Sequence, residues 1–490
     1  MAEAQLAAIE HIVVLMLENR SFDHMLGFLY ADSGSRSPSG DSFEGLSGNE
    51  SNPDPSGAPV RVFKLDPGSA GRYFAPGANP GEGYSATNLQ LFGSDPAPVP
   101  PAPTNSGFVT NFAATLTLDA ARHRPIQPGT SAADIMGIFT PELLPVLSGL
   151  ARGFAVCDHW FCSVPTETIP NRAFAAAATS QGHMNDSSKS FTVPTIFGLL
   201  STAGVPWKIY GFDTAPLTRL DFPDTTNAPD ANFGLFPDFQ ADAAAGRLPG
   251  YAFLEPSWGA AGNSQHPNYD VAKGEALIHD VYRALRDGPG WEQTLLILTY
   301  DEHGGCYDHL PPPTGAIPPD ASMGEYGFDF TRFGPRVPTV LVSPLIAAGT
   351  VFRVPDGSMP LDHTSILKTI EARWGLPTLT ARDAAAPEVS DVLTLSQARG
   401  DDPLEGVVVP SSTAPNPAAG VPSHLQEVQA ELVSQLPLPP EQRLETAALS
   451  ALQTPAEYDA YVRARIEKWR AGASTASREP GWGTREQGPR

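Results

Sequence analysis

The sequence predicts an α/β protein: a three-layer α/β/α sandwich around a mostly parallel central sheet, with long loop insertions. Three observations predict it. Short continuous apolar runs recur at Ile12–Leu17, Phe154–Cys157, Leu295–Thr299 and Pro338–Val342. Helical apolar spacing fills stretches between them, and alternation of the two element types calls for a layered fold. Gly (45) and Pro (51) put much of the remaining chain into turns and loops.

The elements follow in order. Runs of about four to six apolar residues without polar alternation suit strands buried on both faces, as in parallel sheets. Ile12–Leu17 stops abruptly at Glu18-Asn19-Arg20. Residues 31–108 are rich in Gly, Pro, Ser and Asp and read as an excursion from the sheet, a length usually reserved for functional loops or lids. Helices are expected at Pro141–Ala151, Arg172–Thr179, Thr195–Ala203, Gly274–Asp287 and Thr364–Trp374. Residues 212–250 read as a second irregular insertion. Residues 1–400 are therefore expected to form one domain, the candidate catalytic one. Prolines 403, 410, 415, 417 and 422 mark 401–423 as a linker or wrapping segment. Residues 424–490 form a helical extension, with Leu425, Val428, Leu432 and Leu436 at helical spacing.

The net charge is −23, carried mainly before residue 400. It excludes a general nucleic-acid binder, which needs a basic footprint. No stretch approaches the roughly 20 apolar residues of a membrane-spanning helix. The three cysteines read as reduced thiols. The N-terminus lacks a basic segment and a small-residue cleavage site, so a cytoplasmic protein is expected, or a secreted one if a leader has been removed.

Ligands of open α/β sheets bind beyond the carboxyl ends of strands. Two strand candidates end there in hard ligands: Glu18-Asn19 with Asp23-His24, and Asp301-Glu302-His303 with Asp308-His309. Carboxylate and amide oxygens suit a divalent cation, and the imidazoles shift the choice toward zinc, iron or manganese. A third segment, Pro165 to Arg172, places Thr168 at or beside a helix N-cap. There a hydroxyl near a metal can ionise and attack phosphorus, while the helix end and Arg172 hold anionic oxygens.

The segments Glu18-Asn19-Arg20-Ser21-Phe22-Asp23-His24, Thr168-Ile169-Pro170-Asn171-Arg172, Asp301-Glu302-His303-Gly304-Gly305 and Asp362-His363-Thr364-Ser365 resemble the phosphoesterase family of bacterial non-haemolytic phospholipases C and acid phosphatases. That family lies within the alkaline-phosphatase-like superfamily, and the resemblance spans roughly residues 10–385. It implies an alkaline-phosphatase-like fold and one divalent metal ion held by Glu18, Asn19, Asp301, Glu302 and Thr168. Calcium, magnesium, manganese, iron and zinc all suit that ligand set. Thr168 would be the nucleophile and pass through a phospho-threonine. Thr166 is the rival, with the wrong spacing to Pro170-Asn171-Arg172. Relatives carry Gly-Pro before the nucleophile, whereas Glu167 precedes Thr168 here.

His266 resembles a family histidine that contacts the phosphoryl group, and His123 is a weaker match. Asn171 and Arg172 would orient the nucleophile's helix or bind phosphate oxygens. His363 would cap its helix, line the site or bind a second metal; His24, His303 and His309 read as structural support. The expected activity is metal-dependent hydrolysis of a phosphate ester or phospholipid. A catalytically weak metal- and phosphate-binding protein and a phosphotransferase are the alternatives. Mono- or diester preference and oligomeric state are left open.

Overall fold

The computed structural model describes residues 2–189, 191–355, 357–437 and 449–476. The strands of the main sheet are β1 (His11–Leu17), β2 (Ala155–Cys157), β3 (Trp207–Gly211), β4 (Phe233–Leu235), β5 (Tyr251–Leu254), β6 (Thr294–Tyr300), β7 (Thr339–Val342) and β8 (Thr350–Val351). They form an eight-stranded sheet in the order β8-β2-β7-β6-β1-β5-β3-β4. Among these pairings only those of β7, with β6 and with β2, are antiparallel. The sheet is thus mostly parallel, as expected of an α/β sandwich.

The central strands are apolar because both faces are covered. Every residue of β6 is buried, and in β1 only His11 is not. Ile12, Val13, Val14 and Leu15 share one core with Leu295–Leu298 and with helices Pro145–Gly153, Val271–Arg286 and Thr364–Trp374. Leu17 pairs with Tyr300 in parallel register, so the next residues, Glu18 and Asp301, leave the sheet side by side.

Three details differ from the sequence reading. Pro338–Val342 looked like a parallel strand, yet β7 runs against β6. The chain spends residues 301–338 at the carboxyl edge of the sheet and re-enters where β6 ends, so it has to run back. The insertion at 212–250 is not wholly irregular; it carries edge strand β4 and helix Phe236–Ala244. The helix expected from Arg172 begins earlier and spans Thr168–Ala177.

Leu404 in the proline-rich stretch joins the main core, and Asn416 donates Nδ2–H to Ala260 O at 2.6 Å. Helix His424–Gln435 buries Leu425, Val428, Leu432 and Val433 in that core, and Pro455–Ala476 packs beside it through Val462 and Ile466. Of the expected extension, 438–448 and 477–490 lie outside the described residues. No described helix is long and apolar enough to cross a membrane.

Candidate active site

The site forms where β1 and β6 end. Asn19 turns through a left-handed backbone, φ +55°, and donates its N–H to Asp301 Oδ1 at 2.9 Å. The same oxygen accepts the Glu302 N–H at 2.8 Å. Asp301 Oδ2 accepts from Arg172 Nε at 2.9 Å in a buried ion pair. His363 is buried outside the cavity and donates Nε2–H to Asp301 O at 2.5 Å, so it anchors the strand end from behind.

The two glycines after His303 are required by close backbone approach. At Gly304, φ +62°, a Cβ would lie 2.0 Å from Asn19 O. At Gly305, φ +64°, it would lie 2.4 Å from Gly81 O. The Gly305 contact brings the 31–108 excursion down onto the site.

Thr168 is the first residue of its helix, with Glu167 as N-cap. Its Oγ1 donates to Asn19 Oδ1 at 3.1 Å, and Asn19 Nδ2 donates to Glu82 Oε2 at 2.8 Å. One amide therefore joins the hydroxyl to a carboxylate from the excursion. The helix N-terminus is capped by Asp186, whose Oδ1 accepts Ile169 N–H at 2.6 Å. Glu167 Oε2 accepts Asp186 N–H at 2.6 Å, so the residue that departs from the family pattern braces this cap. Thr166 is buried, donates to Met184 O at 2.8 Å and does not line the cavity.

Asn171 and Arg172 support the site from beneath. Asn171 Nδ2 donates to Thr166 O at 2.9 Å and Glu167 O at 3.1 Å, while its Oδ1 accepts Val164 N–H at 3.1 Å. Arg172 Nη2 donates to Met16 O and Leu17 O at 3.1 and 3.0 Å, and the guanidinium lies 4.6 Å from the Trp258 ring centroid. Arg172 thus holds the Thr168–Ala177 helix against the ends of β1 and β6, with its buried Nη1 left without a partner among the described residues, while Asn171 fixes the turn that leads into the helix.

A cavity of about 460 Å³ opens over Thr168. Glu18, Asn19, Glu82, Asp186 and His266 line it. His123 does not: it is exposed in a left-handed turn, φ +54°, beyond helix Phe108–Ala121, and its neighbour Arg124 faces the cavity instead. His266 donates Nδ1–H to Pro267 O at 2.9 Å, because a carbonyl can only accept. Burial lowers its pKa to about 4, so the ring is neutral near pH 7 with a bare Nε2.

The acids crowd one another. Burial first, then Asp301, pushes Glu18 up to about 8. Burial, then Glu82 and Asp301, raises Glu302 well above the usual carboxylate range. Asp186 and Glu167 are pushed up to about 7, mainly by burial. Glu18 Oε2 and Glu302 Oε1 are buried and accept no hydrogen bond from the described residues. Buried like charges with orphaned oxygens fit a divalent cation, which favours their ionised forms.

Of the predicted ligands, Glu18, Asn19 and Thr168 line the cavity, while Asp301 and Glu302 are buried outside its lining and Asp301 Oδ2 is paired with Arg172. Among the described residues, the acid and imidazole group whose ligand atoms all lie within 4.8 Å of one another, spacing that suits a metal, is a different one: Asp23, Asp308 and His309. Arg336 already supplies positive charge there, with Nη2 2.9 Å from Asp23 Oδ1 and Nε 3.0 Å from Asp308 Oδ1.

Sequence reasoning missed Glu82, Asp186 and Asn268. They sit on loops without periodicity, and only tertiary placement brings them to the site. Asp186, within Asn185-Asp186, carried no local signal that it caps a helix lying before it in the chain.

The Phosphoesterase family profile matches residues 9–377. Non-specific phospholipase C6 of Arabidopsis thaliana is 36% identical over 449 residues, covering 87% of this chain and 79% of the relative. Non-specific phospholipase C3 of the same plant is 36% identical over 427 residues, covering 81% and 75%. Phospholipase C A of Mycobacterium tuberculosis is 31% identical over 459 residues, covering 84% and 80%. A solved structure of a protein in the alkaline phosphatase superfamily from Vibrio parahaemolyticus aligns over 52% of this chain and 66% of that one, with 13% identity and a TM-score of 0.30.

Proposed function

The chain belongs to the Phosphoesterase family and is a phosphoric ester hydrolase, and from that premise we propose that it cleaves phosphodiesters of the phospholipase C type through a phospho-threonine. The observation that carries this reading is the Thr168 hydroxyl. It opens the nucleophile's helix, lines the cavity and lies 3.1 Å from Asn19 Oδ1.

Thr168 Oγ attacks phosphorus and the alcohol leaves opposite it, so one P–O bond forms as another breaks. Water then displaces Thr168 from the phosphoryl group and regenerates the hydroxyl. Thr168 gives its proton to solvent as it ionises and the departing alkoxide takes one from solvent, while His266 Nε2 is free to accept a proton from the water that displaces Thr168 in the second step. A divalent ion bound by Glu18, Asn19, Asp301 and Glu302 would supply Lewis acidity and charge neutralisation at the Thr168 oxygen. Asn19 orients the hydroxyl, Glu82 fixes the Asn19 amide, and Arg172 with His363 holds Asp301 still. Positioning and charge stabilisation are most of what phosphoryl transfer asks of a protein.

The test is a rapid quench of wild-type enzyme with a chromogenic phosphodiester, in a divalent-metal series, followed by peptide mass spectrometry. A phosphoryl adduct on Thr168, absent from Thr168→Ala, is expected. Full turnover in Thr168→Ala would remove Thr168 as the nucleophile.

A further inference from the structure

The outer half of the same cavity bears on substrate class, and the inference rests on the phosphoesterase reading above. Asn268 is 4% exposed and lines the cavity. Its Nδ2 donates to Pro125 O at 3.1 Å, while its Oδ1 accepts no hydrogen bond from the described residues. Asn79, half-buried on the same lining, likewise has an Oδ1 atom that is buried without a partner among the described residues. Two buried amide oxygens without donors are costly to leave so, and a ligand that brings N–H or O–H groups relieves the cost.

The C-terminal extension supplies the next part of the lining. Ser423, His424 and Leu425 face the cavity and lie beyond the family-matched residues 9–377. Ser423 and Gln426 cap the helix reciprocally, through Gln426 N–H to Ser423 Oγ at 3.1 Å and Ser423 N–H to Gln426 Oε1 at 3.0 Å. That motif makes no use of the His424 imidazole, which is exposed and has no hydrogen-bond partner among the described residues. His424 lines the same cavity as Glu167 and His266.

The aromatic rings of the lining already have company. Arg172 lies 4.6 Å from the Trp258 ring centroid, and the His266 ring lies 4.7 Å from that of Tyr269. A quaternary ammonium needs open aromatic faces and has no hydrogen to donate. A hydroxyl or primary ammonium satisfies the amide oxygens directly.

We propose that Asn268, Asn79 and His424 form a subsite for a phosphodiester substituent that donates hydrogen bonds, a polyol or a primary amino alcohol. The amide oxygens accept from the substituent, and the imidazole pairs with a further polar group on it. The C-terminal extension is then part of the active site as a substrate-contacting wall.

The test uses the full chain, loaded with the metal that supports turnover, and p-nitrophenyl phosphodiesters of glycerol, ethanolamine and choline. The glycerol or the ethanolamine ester is expected to exceed the choline ester in kcat/KM by about 10-fold or more, since a site built for donors rejects a ligand lacking them. Which of the two leads distinguishes polyol from amino alcohol. In His424→Ala the donor-to-choline ratio is expected to fall about 5-fold, chiefly through KM. A ratio unchanged while all three rates fall together would assign His424 a structural role and overturn the proposal. A choline ester preferred over both others would overturn it too, with the phosphoesterase reading intact. No hydrolysis of any diester with any metal would instead bring down the reading on which it rests.

Discussion

Arg172 and Asp301 form a buried ion pair, Nε to Oδ2 at 2.9 Å, beneath the point where β1 and β6 end. The guanidinium also binds the Met16 and Leu17 carbonyls, so a single side chain ties the Thr168–Ala177 helix to both strands. The pair fixes the geometry of the site before any ligand arrives.

Removing the guanidinium therefore affects folding as well as catalysis. Arg172→Ala strands a buried carboxylate among other acids, and a broken buried pair costs about 3–5 kcal/mol. Urea unfolding is expected to show a loss of that size, with activity lost even in the fraction that folds. Arg172→Lys keeps the charge but cannot reproduce the fork of donors. A Lys variant equal to wild type in both stability and turnover would show that only charge matters here.

The two threonines separate nucleophile from brace. Thr168→Ala is expected to lower kcat by at least about 10³-fold, as loss of a covalent nucleophile does. Thr166→Ala loses a buried hydrogen bond to Met184 O and is expected to cost about 1 kcal/mol of stability with kcat within about threefold of wild type. Steady-state kinetics beside denaturant melts check both, and the reverse ranking would exchange their roles.

Legibility followed burial and chemistry. Ile12–Leu17 and Leu295–Thr299 were readable because strands covered on both faces carry no polar alternation. Glu18, Asn19, Asp301 and Glu302 were readable because they follow those runs directly. Phe233–Leu235 was hidden, since a three-residue edge strand leaves almost no pattern. His123 resembled a site histidine only weakly, and the left-handed turn after its helix faces Arg124 to the cavity instead. Glu82 and Asp186 gain their roles only from loop closure over the sheet edge, which no local spacing encodes.

The Gly304 backbone is a positioning element for Asn19. A Cβ there meets Asn19 O at 2.0 Å and has to adopt φ +62°. Gly304→Ala is expected to displace Asn19 and reduce kcat/KM by about 10²-fold, the size of effect a misplacement near 1 Å produces. The neighbouring Gly315, at φ +87° with no atom within 4 Å of an added Cβ, serves as the control. Gly315→Ala carries the backbone strain without the collision, so equal activity losses in the two variants would refute the placement argument.

His309 sets a pH-dependent share of stability. Burial opposes its charged form, but Asp23, with Oδ2 at 2.6 Å from Nδ1, lifts the imidazole to about 9 from 6.5. The folded state then binds the proton more tightly than the unfolded state. Its contribution is fully present below about pH 6.5 and is lost as pH rises through about 9. Relative to His309→Gln, wild type is expected to be more stable by about 1–3 kcal/mol at pH 6, the gap closing by pH 9.5. A gap that widened with pH would reverse the assigned sign.

Metal removal should be visible without any substrate. Glu18 Oε2 and Glu302 Oε1 are buried without partners among the described residues, and their neighbours Asp301 and Glu82 add like charge. A divalent ion binds the folded arrangement and not the dispersed chain, so at about 100 times its Kd it adds about 2.7 kcal/mol to stability. Chelation is expected to lower Tm, and adding back the supporting metal to restore it. Glu18→Gln keeps the side-chain shape but removes one negative ligand, so the metal-induced rise in Tm should shrink in the variant. The chelated variant should melt at or above the chelated wild type, because a carboxylate crowded by Asp301 has been neutralised. A wild-type Tm indifferent to chelator and to every divalent ion would sink the metal assignment. A full metal response in Glu18→Gln would instead move the binding to other ligands, Asp23, Asp308 and His309 first among them.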